Sequence, residues 1–144
     1  MNKKGLTSTK GLARAYGLRE YSQGFGLFFR SLWQGAKSRG LEFSVDASEL
    51  HRLSQEPCVY CGVVGGNVFS SCGYRYNGVD RVNSSAGYVS GNLVACCGDC
   101  NRAKGALTVE EFRAHVLRIV SHWDGVVEAV EYEAPRNPQV ELFQ

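Results

Sequence analysis

The sequence predicts an α+β domain: a short two-stranded unit pinned by two cysteine knuckles, with helices on either side. Three observations carry this. Cys58 and Cys61 form one Cys-x2-Cys pair, and Cys97 and Cys100 form another. Between them, "YRYNGVDRV" (74–82) alternates like a strand, "NSSAG" (83–87) has turn chemistry, and "YVSGNLVACC" (88–97) returns as a second strand or an extended loop. After the second pair, "LTVEEFRAHVLRIVSHWDG" (107–125) has helical periodicity.

The elements follow in chain order. A length of 144 residues suits one domain with an attached arm, and the 44% hydrophobic and 21% charged content is that of a globular protein. No apolar run is long enough to span a membrane, and the basic N-terminus lacks the apolar stretch of a signal peptide. The expectation is a soluble intracellular protein with reduced thiols. Residues 1–9 read as a flexible tail. "LFFRSLWQGAKSRG" (27–40) places Leu27, Phe28, Leu32 and Trp33 at helical spacing, with Arg30, Lys37 and Arg39 outward and Gly40 as a stop. "DASELHRLSQ" (46–55) is a second short helix with Asp46 at its N-cap, ended by Pro57. Residues 62–72, rich in Gly, Val and Ser, read as a loop. "GDCNRAKG" starts a short helix that stops at Gly105. The long last helix has Thr108 and Glu111 as a capping box, an apolar stripe of Phe112, Val116, Ile119 and Val120, and Gly125 as its end. The tail, with two prolines, has no clear element. The division is thus a basic helical arm over 1–40, a core domain over 41–125 and a tail over 126–144.

The net charge of +2 is unevenly spread. Residues 1–40 carry eight basic side chains against Glu20 alone, while residues 41–144 carry eight basic and thirteen acidic. A basic front half points to a polyanion or is a solvated positive face.

The two knuckles turn four sulfurs toward one point, the tetrahedral S4 arrangement that zinc prefers. Two matched pairs argue against a redox dithiol. Cys72 and Cys96 are the spares; Cys96 adjoins Cys97, but only Cys97 keeps the x2 spacing to Cys100. Such a zinc is closed to substrate and acts as a staple. The chemistry falls between the knuckles. Asp80 ends a strand and Asn101 follows the last knuckle cysteine, so a strand end and a helix start bring together a carboxylate and an amide oxygen. These are hard ligands suited to Mg²⁺ or Mn²⁺.

The stretch "CVYCG … YNGVDRVNSSAGYVSGNLVACCGDCNRAKG" resembles the HNH, or ββα-metal, endonucleases, especially small phage-type members with zinc knuckles. The resemblance covers residues 58–105 and extends more loosely on both sides. It implies a zinc-stapled, treble-clef-like core and metal-dependent hydrolysis of phosphodiester bonds in DNA, most simply double-stranded, in the cytoplasm of a bacterial or phage-infected cell. A homodimer is left open. It implies that Asp80 and Asn101 bind the catalytic metal and that Asn92 ties the long loop to the strand through backbone hydrogen bonds.

Arg81 departs from the pattern: it stands where the family usually has the histidine that activates water. Arginine keeps its proton and is no general base. Either another side chain supplies the base, or Arg81 grips the scissile phosphate with its planar fork, or the site is inactive and the chain is a nucleic-acid-binding or assembly module. On an unbroken strand Tyr76 shares a face with Asp80 and would be the candidate base; the plainer reading is a strand-surface aromatic packing on a neighbour. His51, His115 and His122 are assigned no chemistry, and Tyr60 reads as packing. Arg75, Arg102 and Lys104 would touch phosphates flanking the cut, together with Lys37 and Arg39 of the arm, or line solvated faces.

Overall fold

The computed structural model describes residues 9–123; positions 1–8 of the expected 1–9 tail, the Gly125 stop and segment 126–144 lie outside them, and the ninth residue of that tail instead opens a helix. In chain order the elements are α1 (Thr9–Ala15), a 3₁₀ turn (Leu18–Glu20), α2 (Gln23–Ser38), α3 (Ala47–Gln55), β1 (Asn67–Phe69), β2 (Tyr74–Tyr76), β3 (Gly78–Arg81), β4 (Leu93–Cys96), α4 (Gly98–Lys104) and α5 (Val109–Trp123). No helix among them is long and apolar enough to cross a membrane.

The strands form two antiparallel pairs. β1 pairs with β2 with Val68 opposite Arg75, and β3 pairs with β4 with Asp80 opposite Val94 and Gly78 opposite Cys96. Two expectations are corrected here. The segment 62–72 is not all loop, because it contains β1. The run 74–82 is not one strand, because it breaks at Asn77. Asn77 is fully buried. Its Oδ1 accepts from the Gly66 amide at 3.0 Å, and its Nδ2 donates to the Glu56 and Val63 carbonyls at 2.8 Å each. Its own amide donates to the Ser54 carbonyl at 2.8 Å. An inward amide that satisfies three backbone groups competes directly with ladder pairing, and here it divides one apparent strand between two sheets.

The basic front half also differs from an attached arm. Leu12, Leu18, Phe25, Phe28 and Phe29 share one core with Val45, Leu50, Leu53, Val79, Leu93 and Ala95. Each Val, Leu and Phe among them contributes about 1.5–3 kcal/mol on burial. α2 begins at Gln23, a turn earlier than its apolar spacing suggests, because Ser22 Oγ caps it by accepting from the Phe25 amide at 3.2 Å. Gly24 lets α2 press against β2: a Cβ there would lie 2.2 Å from Tyr74 Cβ. The cations of this segment stay outward, with Lys37 exposed over the Trp33 ring at 5.0 Å and Arg39 at the C-cap.

At the other end, the capping box of α5 is reciprocal. The Thr108 amide donates to Glu111 Oε2 at 2.8 Å, and the Glu111 amide to Thr108 Oγ1 at 3.1 Å. The expected packing stripe is only partly used. Phe112 is buried against Tyr60 with ring centroids 5.4 Å apart, while Val116, Ile119 and Val120 are 40–47% exposed. The periodic pattern defines an apolar face but not a partner for it.

Candidate active site

Two polar centres meet at the start of α4. The first is the cysteine cluster. The sulfurs of Cys58, Cys61, Cys97 and Cys100 all lie within 4.8 Å of one another. Cys97 is also the N-cap of α4, its Sγ accepting from the Cys100 amide at 3.4 Å. A hydrogen bond from the Cys96 side chain, opposed by burial, lowers the Cys58 thiol to about 4, whereas burial raises the Cys61 and Cys100 thiols, so the sulfurs share their protons unequally until a cation draws all four into the thiolate form. The four-sulfur donor set fits structural zinc. Cys96, though buried beside it, lies outside the cluster, and Cys72 is exposed.

The second centre is a cavity of about 220 Å³ lined by Asp80, Asn101, Tyr88 and three arginines, Arg39, Arg81 and Arg102. β3 presents Asp80, the C-cap of α2 presents Arg39, and α4 presents Asn101 and Arg102. β4 runs directly into α4 through Cys97, so the cysteine cluster fixes the angle at which Asn101 approaches the β3 strand.

Asp80 is 6% exposed and its Oδ2 is doubly engaged. Tyr60 Oη donates to it at 2.7 Å, and Lys104 Nζ lies 3.0 Å away in an ion pair that lacks hydrogen-bond angles. Burial first, and then the hydrogen bond to Asp80, push the Tyr60 phenol far above its ordinary value, so Tyr60 remains a donor through the alkaline range. Sequence reasoning missed this role of Tyr60. The available signal was its place inside the first knuckle, which carries it to wherever the cluster is docked.

Lys104 is corrected as well. It does not face phosphate on the surface, because it is only 1% exposed. It sits one turn from Cys100 on the inward side of α4 and meets Asp80 there.

Arg81 Nη1 donates to the Ser84 and Ala86 carbonyls at 2.8 Å each, so the side chain braces the β3–β4 loop. Its guanidinium carbon lies 5.6 Å from the centre of the Tyr88 ring, and that of Arg39 lies 6.0 Å from it. Arg39 Nη2 also donates to Tyr88 Oη at 2.9 Å. Tyr88 is held in turn by its backbone, whose amide donates to the Glu42 carbonyl at 2.8 Å and whose carbonyl accepts from Ser44 and Val45 at 3.0 Å. Asn92 closes the loop from inside. Its Nδ2 donates to the Gly87 and Asn83 carbonyls at 3.0 and 3.2 Å, and its Oδ1 accepts from the Asn83 amide at 2.9 Å.

Tyr76 does not join the cavity. The break at Asn77 puts it in the other sheet, where it stacks on Phe69 with centroids 4.8 Å apart and packs on Phe28 at 5.0 Å. Burial raises its phenol above the ordinary value, the opposite of what a base requires. Arg75 is exposed on the β1–β2 pair, away from the cavity lining. Arg102 is exposed and ion-paired with Asp99. His51 is packed between Tyr21 and Phe25, with centroids at 5.0 and 4.9 Å.

No family model matches the chain. It is 33% identical over 90 residues to the uncharacterised protein R423 of Acanthamoeba polyphaga mimivirus; the match takes in 61% of this chain and 15% of that much longer protein. Among solved structures it is similar to the rare-cutting HNH restriction endonuclease PacI, with a TM-score of 0.52 and 25% identity over 70% of this chain and 80% of that one. The architecture is therefore α+β with an HNH endonuclease as structural neighbour, and it carries a four-cysteine group able to staple a zinc ion at its centre.

Proposed function

We propose that the chain is a metal-dependent endonuclease that hydrolyses phosphodiester bonds in DNA. The observation that carries this is the cavity lined by Asp80, Asn101 and three arginines, on a fold similar to that of an HNH restriction endonuclease. The Asp80 carboxylate and the Asn101 amide oxygen fit a hard divalent ion such as Mg²⁺ or Mn²⁺, which when bound supplies charge stabilisation for the phosphate and the leaving 3′ oxygen. The cysteine cluster, holding zinc, keeps α4 at the angle that brings Asn101 to the cavity. Arg81, with Nη1 committed to the loop, offers its remaining N–H groups to a phosphate oxygen, and Arg39 and Arg102 border the same space. Arg75 and Lys37, exposed outside the cavity, would add non-specific attraction to the backbone.

No histidine lines the cavity among the described residues. Tyr88, whose hydroxyl accepts from Arg39, lines it beside Ser84 and is the candidate base. It takes the place that sequence reasoning gave to Tyr76. A second reading keeps the fold and binds nucleic acid without cutting it; the Asp80–Lys104 ion pair favours that reading, since it already neutralises the carboxylate. Incubation of the protein with supercoiled plasmid and Mg²⁺ or Mn²⁺ separates the two. Nicked or linear product supports the nuclease, and retarded but intact plasmid across both ions supports the binding module.

A further inference from the structure

Lys104 is the least expected residue of the site. It is the one lysine among the described residues that is buried, and its ammonium is spent on the carboxylate the proposed function assigns to a divalent ion. Buried charges persist when paired, and the partner here is Asp80 Oδ2. Tyr60 Oη holds the same oxygen. Both contacts fall on Oδ2, so Oδ1 is the oxygen left for an incoming ligand. Around it the cavity already carries Arg39, Arg81 and Arg102 against the single lining carboxylate.

We propose that Lys104 is a resident counterion for Asp80, so that the free protein holds its divalent ion weakly, and that Tyr60 clamps Oδ2 to orient the carboxylate with Oδ1 toward the ion. Lys104 and Tyr60 are positioning residues: neither lines the cavity, and both act through the carboxylate. The inference rests on the nuclease reading of Asp80 and Asn101. It makes a prediction with an unusual sign. A lysine that serves only to support the fold would, when removed, weaken ion binding or leave it unchanged. A counterion that repels the ion would, when removed, strengthen it.

Calorimetric titration of Mn²⁺ into the zinc-loaded chain tests this without any cleavage assay. Lys104→Met, which keeps the apolar stem, should bind Mn²⁺ about tenfold more tightly than the wild type, since a unit positive charge beside the site is gone. Tyr60→Phe keeps the ring against Phe112 and the Lys104 charge but frees Oδ2, and should bind about threefold more weakly because the orientation is lost. Tyr60→Phe also keeps the proposal testable should Lys104→Met fail to fold. Equal or weaker binding by a folded Lys104→Met, or unchanged binding by Tyr60→Phe, overturns the clamp. Asn101→Ala distinguishes the two levels of failure. If it binds Mn²⁺ as the wild type does, the metal site itself is misplaced and both readings fall; if it binds more weakly while Lys104→Met is unchanged, only the counterion fails.

Discussion

The cysteine cluster and the arginine-rimmed cavity share one helix and have opposite chemistry. The cluster gathers four soft sulfurs within 4.8 Å and is complete without any outside ligand. The cavity gathers one carboxylate, one amide and three guanidinium groups around open space. α4 carries Cys97 and Cys100 toward the first, and Asn101 and Lys104 toward the second. Tyr60 joins the two from the opposite side, standing between Cys58 and Cys61 while donating to Asp80. On the proposed function, the difference separates what holds the fold from what would act on a substrate, and it predicts that damage to the two centres will look different.

The largest effect should come from the cluster. Chelation of its metal, or Cys97→Ala, should cost the fold of the core, since apparent binding energies of structural zinc are about 10–16 kcal/mol in small zinc domains. Loss of the circular-dichroism transition on zinc removal checks this, and a chain that stays folded without metal would erase the distinction. Next comes Arg81, which both braces the loop and borders the cavity. Arg81→Ala should lose about 2.7–4 kcal/mol of transition-state stabilisation, seen in single-turnover cleavage. Arg81→Lys should recover little, because a point charge replaces a planar fork that bonds two carbonyls and, on the proposed function, would grip a phosphate as well.

A smaller effect concerns pH. With no histidine among the described residues lining the cavity, the cleavage rate should keep rising above about pH 8 instead of levelling near neutrality, where an imidazole base would be fully deprotonated. The Tyr60 donor does not limit that rise, because its raised pKa keeps its proton in place. Tyr88→Phe should flatten the alkaline limb if Tyr88 supplies the base, and the pH profile of the variant reads this directly. The smallest effect belongs to Lys37→Ala. Lys37 is exposed and outside the cavity, so the change should leave stability within about 0.5 kcal/mol and lower the salt slope of DNA binding by at most about one unit.

Much of this was legible in the sequence, for reasons that differ by residue. The four cluster cysteines follow from spacing alone, because a tetrahedral S4 site needs two short knuckles and little else. That Asp80 and Asn101 line one cavity follows from a strand end and a helix start tied to the same four-cysteine group. The capping box of α5 is local and forms as its residues require. What stayed hidden depended on tertiary context. Asn77 sits in an alternating run, and nothing local says that its amide will turn inward and split the strand; Tyr76 was misplaced as a result. Lys104 lies in a helix whose polar composition suggests solvent, yet one turn from Cys100 it faces the carboxylate. The basic charge of residues 1–40 drew attention from their aromatics, which build the core. In α5 the apolar stripe was visible, but a stripe does not name what covers it.

The most direct measurement avoids Asp80. Removing that carboxylate would strand a buried ammonium, at a cost of about 3–5 kcal/mol, and confuse lost chemistry with lost fold. Asn101 is exposed, so its substitution spares the fold. Plasmid cleavage with Mn²⁺ should be compared among the wild type, Asn101→Ala and Asn101→Asp at equal zinc content. The expected result is cleavage by the wild type, loss of at least about a hundredfold in Asn101→Ala, comparable to removal of one preorganised stabilising group, and partial recovery in Asn101→Asp, which restores an oxygen donor. Cleavage by Asn101→Ala at the wild-type rate, or no cleavage by the wild type, would contradict a catalytic role for the cavity.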